Sequence, residues 1–122
     1  MAAHNERGSK SEQIARRYLV DHGHRVLHFN WFYGKKELDI ITEYGNKLII
    51  TEVKGINDRY LSDPSDLLSS WKMRNIVDAA EAYIEQFGID REIQFDLIVV
   101  IFDEYGHRIE HLESAIVPGV NW

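Results

Sequence analysis

The stretch Glu37-Leu38-Asp39-Ile40-Ile41-Thr42-Glu43-Tyr44-Gly45-Asn46-Lys47-Leu48-Ile49-Ile50-Thr51-Glu52-Val53-Lys54 sets two runs of strand-forming side chains around a Gly-Asn pair. Such a pair suits the primed two-residue turns whose twist matches that of antiparallel strands. A hairpin is therefore predicted, with strands over Glu37–Tyr44 and Lys47–Lys54. If Gly45 and Asn46 alone form the turn, Tyr44 faces Lys47, and counting back along both strands sets Asp39 opposite Glu52. Their β-carbons would then lie roughly 4.5–5.5 Å apart on one face, where like charges destabilise a sheet unless something compensates them. Lys54, two residues beyond Glu52, points to the same face.

Outward from the hairpin the chain alternates helix and strand signals. Ile14, Ala15, Tyr18 and Leu19 fall on one helical face, so a helix is predicted over Ser11–Asp21, closed by Gly23. Arg25–Trp31 alternates polar and apolar residues and reads as a first strand, with a Gly34-Lys35-Lys36 loop after it. On the other side, Gly55–Ser69 reads as a loop. Ser70–Phe87 carries an apolar stripe through Met73, Ile76, Val77, Ala80, Tyr83, Ile84 and Phe87 and reads as a second helix ended by Gly88. The nearly continuous apolar run within Gln94–Phe102 predicts a central strand covered on both faces, and Arg108–Leu112 a short last strand. The order αβββαβ plus that strand predicts a single α/β domain over residues 1–122, a mixed sheet flanked by helices.

Two carboxylates and an ammonium on one patch suggest a hard divalent cation, Mg²⁺ or Mn²⁺, one or two ions, held by oxygen ligands. Such an ion polarises a phosphoryl oxygen and acidifies a bound water, while a neighbouring lysine stabilises charge at phosphorus. The chemistry this implies is phosphodiester hydrolysis. The other reading of the same three residues is a solvated strand face with an ordinary ion pair.

The segments Glu37-Leu38-Asp39-Ile40-Ile41 and Glu52-Val53-Lys54 resemble the D…ExK signature of the PD-(D/E)XK nuclease superfamily. The whole chain is similar to the YraN family of small bacterial predicted endonucleases, related in fold to Holliday-junction resolvases. The similarity takes in Ala3-His4-Asn5, Glu12, Tyr18-Leu19, Asn30-Trp31, Asp63-Pro64, Lys72, Phe95-Asp96 and Ile109-Glu110-His111. The resemblance implies a restriction-endonuclease-like core in which Asp39, Glu52 and the main-chain carbonyl of Val53 hold the metal. It makes Lys54 the catalytic lysine and brings Glu12 to the site from its helix. Ser9-x-x-Glu12 is also a capping-box pattern that would spend the Glu12 carboxylate on the backbone. Lys72 matches a basic position near the second helix that would reach a phosphate, the alternative being a solvated helix lysine. The chain departs from the family pattern at Ser11, Phe32 and Gly55-Ile56-Asn57, where the family carries glycine, arginine, and threonine followed by arginine. Resolvase-like relatives act as dimers, so a homodimer is compatible with the resemblance.

Composition sets bounds on these readings. At 44% apolar and 28% charged residues the chain is ordinary for a folded protein, and the absence of cysteine excludes a disulfide scaffold or a thiolate zinc site. Its longest uninterrupted apolar run, Leu97–Phe102, is far too short to span a membrane, and Met1-Ala2-Ala3-His4-Asn5-Glu6 lacks the apolar core of a signal peptide, so a cytoplasmic address is expected. The six histidines lack a recognisable zinc spacing and read as surface or turn residues, and Asp96 as a structural acceptor.

The net charge of −6 at first opposes a nucleic-acid partner, but residues 1–61 hold 10 basic and 8 acidic side chains and residues 62–122 hold 4 and 12. Substrate contact is therefore expected at Arg16, Arg17, Lys35, Lys36 and Arg59, and the resemblance adds Lys72. Phe32-Tyr33 beside Lys35 and Lys36 would stack on an unpaired base or pack over the sheet edge. The leading expectation is a Mg²⁺-dependent endonuclease acting on branched or structured nucleic acid, most readily DNA. The alternative is a nucleic-acid-binding or protein-interaction module on the same fold, its acidic second half docking a basic partner.

Overall fold

The Gly45-Asn46 pair turns the chain as its residue types require, with Gly45 at φ +59° and Tyr44 facing Lys47 across a two-residue turn. The structure is a computed structural model that describes residues 3–120. In chain order it comprises α1 (Ala3–Asp21), β1 (Arg25–Tyr33), β2 (Lys36–Tyr44), β3 (Lys47–Asn57), two short 3₁₀ turns (Asp58–Tyr60 and Pro64–Leu67), α2 (Ser70–Phe87), β4 (Glu92–Asp103) and β5 (Gly106–Ile116). The strands lie in sequence order in one five-stranded sheet. All neighbours are antiparallel except β3 and β4, which run parallel because α2 carries the chain back between them. This is the expected α/β arrangement of a mixed sheet flanked by helices.

Each helix buries its apolar stripe on one face of the sheet. Met73, Ile76, Ala79, Ala80 and Tyr83 of α2 pack on Leu48, Ile50, Leu97, Val99 and Ile101. Ala15 and Leu19 of α1 pack on Ile40, Val53, Ile98 and Val100. With both faces covered, β4 is buried from Phe95 to Ile101, which is why its sequence shows no alternation. Full burial of each of the apolar side chains in that run stabilises the fold by roughly 1.5–3 kcal/mol, whereas the buried Asp96 among them needs its own hydrogen-bond partners. Ser69 caps α2 by accepting the Lys72 N–H, and Gly88 closes it in the left-handed conformation at φ +61°.

Several expected boundaries move. The first helix begins at Ala3, not Ser11, so Ser9 lies inside it and cannot be an N-cap. Gly55–Asn57 belong to β3, not to a loop, because parallel pairing with β4 continues from Gly55↔Val100 to Asn57↔Phe102. β4 is an interior strand, but β3 holds the centre of the sheet. β5 is longer than expected and reaches Ile116, its register shifting where Ser114 takes a positive φ of 51°.

One irregularity shapes the site. Phe29 and Ile40 face α1, whereas Trp31 and Leu38, two residues along the same strands, pack on the α2 side. Regular strands keep alternate residues on one face, so β1 and β2 turn over together between these pairs. The residues between them are Asn30, at φ +48°, and Asp39. The β2–β3 pairing also ends there, at Ile40↔Thr51.

Candidate functional site

Asp39 does not pair with Glu52 in the sheet ladder as the hairpin count implied, because β2 turns over one residue too early. Its carboxylate takes the place of the missing ladder bond: the Val53 N–H donates to Asp39 Oδ2 at 2.9 Å. The Asp39 and Glu52 side chains nevertheless lie side by side, close enough to share a hydrogen bond when one carboxyl is protonated, and only 8% and 5% of their surfaces remain exposed. Two further carboxylates join them. Glu12 from α1 and Glu37 from β2 each bring an oxygen to within 4.8 Å of one another and of Asp39.

Asn30 organises this group. Its Nδ2 donates to Glu12 Oε1 at 2.8 Å and to Glu37 Oε2 at 2.9 Å, and its Oδ1 accepts from the Arg16 guanidinium at 2.8 Å. The positive φ of Asn30, which asparagine tolerates better than most residues, aims that amide at α1. The Arg16 guanidinium in turn lies 3.7 Å from the centre of the Phe29 ring. On the opposite side, Lys72 from the first turn of α2 brings Nζ to 3.6 Å from Glu52 Oε1.

The electrostatics are those of too many buried anions for the cations present. Burial pushes the Glu52 carboxyl well above its ordinary range, and the Asp39 charge adds to that. Lys72 and Lys54 pull it back only in part. Burial also raises Asp39, against the Val53 N–H and the Glu52 hydrogen bond that favour its charged form, with Glu12 and Glu37 raising it further. The closely spaced carboxylate oxygens of Glu12, Glu37 and Asp39 are the kind of donor set that could hold a hard divalent cation.

Residues 11–100 match the family described as "Uncharacterised protein family UPF0102". The chain belongs to that family. A UPF0102 protein of Phocaeicola vulgatus is 40% identical over 120 residues, covering 98% of this chain and 99% of its own. One from Parabacteroides distasonis is 44% identical over 115 residues, covering 94% and 95%. The UPF0102 region contains every residue of this acidic notch, the cluster of Glu12, Glu37, Asp39 and Glu52 with Lys54 and Lys72 beside it.

Within this member of UPF0102, the expected site residues Glu12, Asp39, Glu52, Lys54 and Lys72 fall in one neighbourhood. Glu12 spends its carboxylate on Asn30, so the capping-box alternative does not hold. Val53 enters through its N–H, the donor to Asp39. The expected substrate contacts are more scattered. Arg16 is half-buried against Phe29 and Asn30, Arg17 is exposed and 3.9 Å from Asp21, and Lys36 pairs with Asp78 at 2.9 Å. Lys35 and Arg59 are exposed, Arg59 standing 5.9 Å from the Tyr60 ring centre. Glu37 and Asn30 fall within the segments that carry the resemblance, but the sequence assigned neither a role at the site. The signal for Glu37 was its position two residues before Asp39 on the same strand.

Three histidines are not surface or turn residues as expected. His24 is buried with Nδ1 2.8 Å from Thr42 Oγ1, and burial lowers its pKa. His28 bonds the Tyr83 hydroxyl at 2.8 Å. His111 on β5 links Tyr18 of α1, at 3.1 Å, to Asp96 of β4, at 2.7 Å. Asp96 also accepts from Gln94 and from the Ser114 N–H, and is the structural acceptor expected of it. Burial would raise its pKa, but these donors together hold it below the usual range.

Proposed function

We propose that this member of UPF0102 is a metal-dependent endonuclease with a restriction-endonuclease-like core of the PD-(D/E)XK superfamily, hydrolysing phosphodiester bonds in structured or branched nucleic acid. The observation that carries the proposal is the convergence of Glu12, Glu37 and Asp39 beside the buried Glu52, with Lys54 and Lys72 next to it. Asp39 and Glu52, joined by Glu12 and Glu37, would hold Mg²⁺ or Mn²⁺, and Val53 would add its carbonyl. Bound there, the ion supplies Lewis-acid polarisation of a phosphoryl oxygen and a more acidic water. Lys54 offers its ammonium to the negative charge that develops on the phosphoryl oxygens. Lys72 tempers the Glu52 charge, and Asn30 is a positioning residue that fixes Glu12 and Glu37.

The test is cleavage of a panel of junctions, flaps and single strands by purified protein with Mg²⁺ or Mn²⁺. At least one substrate is cut, and Asp39→Ala abolishes the cutting, a loss of about 100-fold or more. Cutting that persists in Asp39→Ala would place the activity elsewhere. A second reading, a non-catalytic nucleic-acid-binding or protein-interaction module on this fold, is favoured by the internal engagement of Arg16 and Lys72. It requires the opposite result, a salt-sensitive complex with no metal-dependent cutting of any substrate.

A further inference from the structure

Many of the cations of this chain are engaged within it rather than aligned to hold a continuous duplex. Duplex binding rests on lysines and arginines that neutralise successive phosphates. Here Arg17, Arg25, Lys36, Lys72, Arg91 and Arg108 each have a carboxylate partner within the chain. Arg16 is committed to Asn30, and Lys47 to Gln94. The acidic second half of the chain adds repulsion. With so many cations engaged within the chain, contacts other than those to phosphate gain weight in holding a strand.

Aromatic surface is available beside the carboxylates. Phe32 pairs across the β1–β2 ladder with Glu37, so the two side chains are neighbours on one face. That face is the one on which Asn30 reaches Glu37 and Glu12. Phe32 is 59% exposed, and Phe29, on the same side under the Arg16 guanidinium, is 40% exposed. Lys35 is exposed in the turn just beyond Phe32. Two aromatic rings and a flat guanidinium thus flank the Asn30 network, with a cation at the end of the strand. A planar face that is apolar at its centre and attracts negative charge at its rim suits a nucleobase stacked flat while its phosphate lies alongside.

We infer that Phe32, with the Arg16–Phe29 stack, forms a shelf for an unpaired base, so that the strand entering the acidic notch is single-stranded there. The inference rests on the nuclease reading for where the scissile phosphate lies, but the shelf itself requires no cutting. Stacking on such a shelf contributes on the order of tenfold in affinity per base and tolerates any base, since each has a π face. A base held within a duplex is already stacked on its neighbours and cannot occupy it.

The experiment is fluorescence anisotropy of labelled oligothymidylate, single-stranded and annealed to oligoadenylate, with the full chain in a metal chelator at low salt. The single strand binds about tenfold tighter than the duplex. Phe32→Ala removes that preference and leaves duplex binding unchanged, whereas Phe32→Trp keeps it, its indole emission quenched by the single strand alone. Duplex binding as tight as single-strand binding, or a preference that survives Phe32→Ala, overturns the inference. Because no metal is present, the nuclease reading stands or falls separately. A chain that cuts nothing yet shows the Phe32-dependent preference retains the shelf, whereas one that cuts duplex equally well with Phe32→Ala retains the nuclease and loses the shelf.

Discussion

At the scale of single residues, Glu52 is where the fold tolerates the largest electrostatic cost. Its carboxyl is raised by burial and by Asp39, and Asp39 is raised as well. A carboxyl whose folded pKa lies above its unfolded value favours the native state fully only below the unfolded pKa, and that contribution is lost as pH rises through the folded pKa. Metal-free protein is therefore expected to lose stability as pH climbs from the ordinary carboxylate range towards neutrality. Asp96 acts in the opposite sense: its lowered pKa gives stability that is present above the ordinary aspartate value and lost as pH falls through the folded one. Thermal melts across pH in chelator should thus show a mildly acidic optimum. Glu52→Gln should flatten the neutral side and stabilise the protein there by about 1–3 kcal/mol. An unchanged slope in that variant would show that Glu52 is already compensated by Lys72 and Lys54. Glu37 stands two residues from Asp39 in the sequence, but the overturn of β2 between them concealed how the carboxylates converge, and the role of Asn30 was hidden as well. An Asn-Trp pair in a strand carries no sign that its amide will bridge two acids from different elements.

At the scale of elements, the site depends on how closely α1 lies on β3. Gly55 makes that approach possible: a β-carbon there would stand 2.0 Å from Ser11 Oγ and 3.1 Å from Ser11 Cβ. Ser11 precedes Glu12, so any displacement of α1 at this point moves a carboxylate of the notch. Gly55→Ala is expected to destabilise the protein by about 1–3 kcal/mol in urea unfolding. The Gly55→Ala, Ser11→Gly double variant should recover part of the loss, and independence of the two changes would refute the contact. The same contact explains what the sequence concealed. A glycine after Glu-Val-Lys resembles the start of a loop, and only pairing with β4 and the pressure of Ser11 reveal it as a strand residue with no room for a side chain. The hairpin was legible because Gly45-Asn46 is a local signal. The register shift near Ser114 and the overturn at Asn30 and Asp39 were not, since both answer to tertiary packing. The count that put Asp39 beside Glu52 gave the correct neighbours by way of a ladder pair that does not form.

At the scale of the whole molecule, the sheet places its one parallel junction, β3 with β4, at the interior, and both helices bring side chains to the end of β3. Glu12 arrives from one face and Lys72 from the other, meeting where β2 diverges from β3. The carboxylates that converge there, Glu12, Glu37, Asp39 and Glu52, all belong to the half of the chain with the basic excess. No helix among the described residues is long and apolar enough to cross a membrane. The central claim is that the acidic notch binds a divalent cation. Calorimetric titration of the metal-free chain with Mn²⁺ tests it most directly. Saturable binding that Asp39→Asn weakens by about tenfold or more is the expected result. Absence of binding, or binding that Asp39→Asn leaves unchanged, would contradict it.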